Sequence, residues 1–216
     1  MDKNICLENL RKIVKLRCNA DSAHDYYHIQ RVVNTAKLIN STIGADEFKL
    51  EIICLIHDVC DHKYFNGDAN LELYNILTEC EIDKILTPAE IKELIFNATN
   101  LGFSERIDKS LLSTEGLIAQ DADRLEVLGA IGIGRCFAYS GKKNKPLHNP
   151  DLPLTPLSEE EYKKSGSLTA ISHFYDKILL IKNDLNTEAA KKFASQREGF
   201  VKEFLNQFFL EWEGKR

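Results

Sequence analysis

The stretch that most constrains this chain is Ile52-Ile53-Cys54-Leu55-Ile56-His57-Asp58-Val59-Cys60-Asp61-His62-Lys63. An apolar helical run ends there on an imidazole beside a carboxylate. Burying such a pair carries a desolvation cost that a bare helix end does not offset, whereas a bound cation does. One dipeptide is not a site, however. The remaining ligands must come from other segments, so the fold has to bring distant parts of the chain to the end of this helix.

The flanking pattern says what those segments are. Residues 4–19 place Ile5, Leu7, Leu10, Ile13, Val14 and Leu16 at helical spacing, with Lys and Arg between them. A second helix is expected over 23–42, capped by Asp21 or Ser22, with His28, Val32, Ala36 and Ile39 on one face. Gly44 ends it, and Asp46 starts a third helix that runs to about Cys60. After a loop at 63–67, Asp68 caps a helix over roughly 69–80. Thr87-Pro88-Ala89-Glu90 is a capping box with proline at the first helical position, which predicts a helix over 88–99.

Residues 110–140 carry the longest helical pattern. Gly129, Gly132 and Gly134 within it imply a kink or the close approach of another backbone. Residues 141–157, with Pro146, Pro150, Pro153 and Pro156, form the one long irregular segment, of a length that is often functional or mobile. Helices over about 167–183 and 187–212 close the chain. The second is capped by Thr187, and Phe200, Phe204, Phe208 and Phe209 are expected as its core stripe. No run of alternating β-branched residues bounded by turns occurs. The expected fold is all-α, a single domain over 1–216 built as a multi-helix bundle.

Composition excludes several classes. A net charge of -5 argues against a coat for nucleic-acid polymers. No apolar run approaches membrane-spanning length, and the N-terminus has no signal-like block, so a cytoplasmic protein is expected. The six cysteines include no C-x-x-C pair and several fall inside apolar helical patterns, which reads as reduced, buried thiols. The glycines at 129–134 follow no strand, so they are not a dinucleotide fingerprint.

Four positions on three separate helices stand out: His28, His57 with Asp58, and Asp123. Two imidazoles and two carboxylates projecting into a helical core suit one divalent ion, whether Mn²⁺, Fe²⁺, Ni²⁺, Zn²⁺ or Mg²⁺; the residues do not choose among them, and Mn²⁺ is taken as the first expectation. Asp121 and Asp123 point about 200° apart on a helix, so only one can face the metal. The Ala-Asp-Arg-Leu context favours Asp123 through its resemblance to a known motif, leaving Asp121 either behind the ligands or in solvent.

His28-x-x-Arg31-Val32, His57-Asp58 and Ala122-Asp123-Arg124-Leu125, in that order and on helices, resemble the HD superfamily of metal-dependent phosphohydrolases. His24-Asp25-x-x-His28, Asp61-His62-Lys63, Gly129-Ala130-Ile131-Gly132 and the Phe-rich last helix ending at Trp212 resemble its small stand-alone bacterial type, represented by YedJ and YpgQ. The resemblance implies metal ligation by His28, His57, Asp58 and Asp123. It also implies Asp61 at the position of a proton acceptor used by some nucleotidases of the superfamily.

Bottom-up chemistry adds Lys63 as the nearest compact cation for a phosphate and Arg31 one turn past His28. His24 is placed to touch substrate or orient water. Lys177, with Lys142, Lys143, Lys145 and Lys182, is a more distant candidate for a polyphosphate tail. Each has a plainer reading: Asp61 as a turn acid, Lys63 as a solvated loop lysine, Arg31 as an ion-pair partner of Asp58 or Asp123. His62, His148 and His173 read as surface or packing histidines.

The expected activity is hydrolysis of a small nucleotide or phosphate substrate. A nucleoside triphosphate pyrophosphohydrolase comes first and a nucleotide phosphomonoesterase second. A homodimer is left open. Two rivals from other classes are a zinc peptidase built on His24-Asp25-Tyr26-Tyr27-His28 and a non-catalytic helical module with a structural metal. Asp is too short to reach a zinc-bound water as the Glu of H-E-x-x-H does.

Overall fold

The computed structural model describes residues 2–18, 25–60, 65–102 and 107–215, apart from the side chains of Glu159 and Lys163. These residues group into two compact units, Met1–Asp123 and Arg124–Arg216. Among them are ten α-helices and no β-strand, which matches the all-α expectation. None of the helices is long and apolar enough to cross a membrane.

The first unit holds α1 (Lys3–Arg17), α2 (Tyr26–Asn40), α3 (Glu47–Ile56), α4 (Ala69–Glu79), α5 (Pro88–Thr99) and most of α6 (Thr114–Leu125). Its axis is α3. Every residue from Leu50 to Ile56 is at most 2% exposed, the pattern of a helix covered on all sides. It packs against α1, α2 and α5. Fully burying each Ile or Leu of that run contributes about 1.5–3 kcal/mol.

The one charge inside the run, Glu51, is paired on both sides. Arg11 of α1 reaches one carboxylate oxygen and Lys37 of α2 the other, at 2.6 Å. Lys49 reaches Glu90 of α5 at 2.8 Å. The caps at Asp46, Asp68 and Thr87 form as expected, Thr87 and Glu90 as a reciprocal capping box. Two boundaries differ. The cap of α2 is Asp25, whose carboxylate accepts from His28 N–H, while Asp21 and Ser22 lie outside the described residues. And α3 stops at Ile56, leaving 57–60 in a turn rather than in the helix.

In the second unit the pattern expected as one helix over 110–140 is broken at 126–128. The new helix, α7 (Gly129–Lys142), starts on Gly129 at φ 76, a conformation that L side chains rarely adopt. A Cβ on Gly132 would stand 2.1 Å from the Val127 carbonyl oxygen, so the chain folds tightly back on itself there. α8 (Glu159–Ser165) follows, then α9 (Ala170–Asp176), a 3₁₀ run over Ile178–Asp184, and α10 (Glu188–Trp212), capped by Thr187. The helix expected over 167–183 is therefore the α9 and 3₁₀ pair.

α7 packs on α9 and α10. An aromatic cluster of Phe137, Phe174, Phe204 and Phe208 fills the space, with centroids 5.8–6.2 Å apart. The expected Phe stripe is corrected in part. The buried stripe of α10 is Ala190, Ala194, Glu198, Val201 and Leu205, and Phe200 is 49% exposed. The irregular segment is tethered, since Pro146 and Leu147 carbonyls accept from Ala170 and Ile171 N–H. His148 lies edge-on to Phe208, Phe209 and Trp212, a packing histidine as expected.

His173 is also half-buried, with Nδ1 3.0 Å from Ser167 Oγ and its ring stacked on Tyr162. Burial first, then Lys177 and Lys145, lower its pKa from 6.5 to about 4. A histidine depressed in the folded state contributes stability that is complete above pH 6.5 and lost as pH falls toward about 4. The full effect is about 3 kcal/mol. Urea titrations between pH 7 and 4 should therefore show a slope that flattens in His173→Gln. The single-domain expectation is checked by calorimetry, which should record one cooperative unfolding transition for the chain.

Candidate metal centre

Three helices of the first unit deliver the expected ligands. Asp25 accepts from His28 N–H at 2.8 Å and so begins α2 one turn before this histidine. That bond makes Asp25 the cap of α2, and His24, the other histidine of the peptidase reading, lies outside the described residues. His28 then faces inward at 2% exposure, on the same buried side as Val32, Ala36 and Ile39.

His57 follows the last residue of α3, and its Nδ1 lies 2.8 Å from the Cys54 carbonyl oxygen. A carbonyl only accepts, so Nδ1 carries the hydrogen, and it is Nε2 that the neutral ring offers as a lone pair. The bond also satisfies one of the carbonyls that a helix end leaves open. Nε2 is buried and has no hydrogen-bond partner among the described residues.

What surrounds that lone pair is acceptors. Asp58 Oδ1 is 3.5 Å away and Asp123 Oδ1 is 3.9 Å away. His28 Nε2 lies 3.5 Å from Asp58 Oδ2 and 3.3 Å from Asp123 Oδ1. The imidazole rings meet at a T-shaped angle with centroids 5.5 Å apart. One ligand atom each from His28, His57 and Asp58 fall within 4.8 Å of one another. Donor atoms about 2.0–2.2 Å from a shared ion stand roughly 3–4 Å apart, which is the spacing seen. Two carboxylates around two imidazoles, one with a bare buried lone pair, fit a divalent cation.

Asp123 and Asp121 sit in different surroundings. Asp123 reaches the cluster with its side chain 28% exposed. Asp121 is fully buried and engaged within the fold, so the solvent-exposed alternative is overturned. Arg31 is half-buried on α2 and also engaged. His24, Asp61, His62 and Lys63 lie outside the described residues.

The distant lysines belong to the second unit and two of them have structural work there. Lys145 Nζ donates to the Ser167 carbonyl at 2.5 Å, and Lys182 Nζ sits 2.9 Å from both oxygens of Glu198. Lys177 caps α9 and acts on His173.

Two contributors were not anticipated from sequence. The Cys54 carbonyl is signalled only by standing three residues before His57 at a helix end. Glu51 is signalled by being a charge within an apolar run, which demands partners. The cysteines are as expected: all six are free and five are buried. Burial pushes the Cys18 thiol up to about 12, with Asp58 and Cys60 adding to the effect, and Cys60 up to about 11.

Comparison with known proteins places this geometry. The HD domain family model matches residues 25–128. The protein YpgQ of Bacillus subtilis is 31% identical over 191 residues, spanning 86% of this chain and 83% of its own. Its crystal structure in complex with ADP superposes with a TM-score of 0.75 at 28% identity, covering 96% of this chain and 95% of that one. An HD-superfamily hydrolase from Bacillus thuringiensis gives a TM-score of 0.76 at 31% identity, covering 98% and 99%.

A ligand that binds only the folded state at one hundred times its dissociation constant adds about 2.7 kcal/mol of stability. Thermal scans with Mn²⁺ should show that upward shift for the native chain and none for His57→Ala.

Proposed function

This chain belongs to the HD domain family and is a metal-dependent phosphohydrolase of that kind; we propose that it hydrolyses a nucleoside triphosphate to the monophosphate and pyrophosphate. The observation that carries the metal-dependent chemistry is the buried His57 Nε2 lone pair, set among two carboxylates and a second imidazole. A nucleotide as substrate is supported by the ADP bound to the Bacillus subtilis relative.

In this reading His28, His57, Asp58 and Asp123 hold one divalent ion, with Mn²⁺ as the first candidate. Such an ion supplies Lewis acidity, which acidifies water and draws charge from a phosphoryl oxygen. The Cys54 carbonyl keeps His57 in the tautomer that leaves Nε2 available. Asp25 fixes where α2 begins and so where His28 stands.

Asp61 is assigned the proton that the attacking water loses, and His24 the orientation of that water. Lys63 and Arg31 place positive charge beside the non-bridging oxygens. Water adds to the α-phosphorus as the bond to the bridging oxygen of the β-phosphate breaks. Pyrophosphate leaves, and the nucleoside monophosphate remains.

The test is product identity. With Mn²⁺ and a panel of nucleoside mono-, di- and triphosphates, chromatography should find pyrophosphate and monophosphate from the triphosphates. Inorganic phosphate released from a monophosphate would instead establish the phosphomonoesterase reading. Asp61→Asn should lower kcat by about 100-fold, the scale of a lost general base, while Mn²⁺ affinity and KM hold. If Mn²⁺ affinity falls with the rate, Asp61 is a ligand and not the base.

A further inference from the structure

Of the four proposed ligands, His28 stands on α2 and His57 and Asp58 in the turn after α3, while Asp123 comes from a third element. It stands near the end of α6, and something must set the height and rotation of that helix. Near its start, α6 is keyed into α5. Asn97 of α5 is 0% exposed, and its carboxamide is used at both ends. Nδ2 donates to the Glu93 carbonyl at 2.7 Å, and Oδ1 accepts from Ser113 N–H at 3.0 Å. Ser113 in turn accepts from Gly116 N–H at 3.1 Å through its hydroxyl, capping the first turn of α6.

The carboxamide occupies the place where residue 116 would carry a side chain. A Cβ there would lie 1.8 Å from Asn97 Oδ1 and 2.6 Å from Cγ, inside the 3.0 Å that real Cβ contacts respect. Gly116, Gln120 and Asp123 share one face of α6, since four and seven residues are about one and two turns. Gln120 Nε2 continues the contact to the Asn100 carbonyl at 3.5 Å. At the other side of α6, Glu115 accepts from Asp46 N–H of the α3 cap at 3.0 Å.

We propose that Asn97 is a positioning residue for the metal centre: its carboxamide, seated in the notch left by Gly116, sets the register of α6 and thereby places the Asp123 carboxylate against His28 and His57. This rests on the reading of Asp123 as a ligand. A ligand set works only when its members are held to about 0.5 Å, and a Cβ at 116 displaces α6 by more than that or expels the carboxamide. Supporting contacts of this kind are worth about 10–100-fold in metal affinity.

The test is a double-mutant cycle on the metal-free protein, read as Mn²⁺ affinity by calorimetric titration, with the metal-free melting temperature recorded alongside. Gly116→Ala and Asn97→Ala should each weaken Mn²⁺ binding about tenfold or more, on the scale of lost supporting contacts. In the double variant the new methyl takes the space the carboxamide vacates, so the added loss from Gly116→Ala should shrink to about threefold or less, the signature of direct coupling.

Thr87→Ala, which removes the cap of the same α5, should lower the melting temperature and leave Mn²⁺ affinity unchanged. Additive losses in the cycle, or an equal loss of affinity in Thr87→Ala, would overturn the proposal in favour of general destabilisation. If Gly116→Ala does not fold, Asn97→Ala decides alone, because it introduces no clash; wild-type affinity in it overturns the proposal. Asp123→Asn in the same titration separates the two levels. If it binds Mn²⁺ as the native chain does, the reading of Asp123 as a ligand has failed, and the positioning role with it.

Discussion

A buried imidazole nitrogen that meets no donor among the described residues is the constraint around which the first unit is arranged. Left to itself it costs free energy on the order of 1–3 kcal/mol, and the nearby carboxylates add repulsion to it. A fold that retains it must hold it against relaxation. α3 does this by being apolar on every side, so that the helix cannot turn its end toward water without exposing Ile52, Ile53 and Ile56. The Cys54 carbonyl then removes the remaining freedom, the spin of the ring. The pairing of Glu51 with Arg11 and Lys37 ties α1 and α2 to the same helix that leads to His57.

Much of this was legible in the residues. His57-Asp58 closing an apolar run announced a buried polar centre, because that order of residues has no stable explanation without a compensating charge. The choice of Asp123 over Asp121 followed from helical rotation together with the Ala-Asp-Arg-Leu context. Caps were readable where the donor and acceptor are close in sequence, as at Thr87 with Glu90 or Thr187 with Ala190.

What escaped was whatever depends on a partner distant in the chain. Periodicity identifies a face, not the surface it meets, and so Phe200 was assigned to a stripe it does not join. Three glycines within 129–134 signalled a disturbance, but only the Val127 carbonyl against Gly132 shows that the helix stops and restarts. The lysines of the second unit were candidates because their charges are visible in sequence. Their engagement with Ser167 and Glu198 is visible only in three dimensions. The same holds for Asn97, an unremarked amide between two turns of an ordinary helix.

The cysteines carry one more consequence. Cys18 is close enough to Asp58 for the carboxylate to act on its titration, and its thiol is held up to about 12. At neutral pH such a sulfur remains protonated and is neither a strong nucleophile nor a ready donor to an ion. Cys18, buried at the end of α1, therefore serves the first unit as a small packing group rather than as a reactive one.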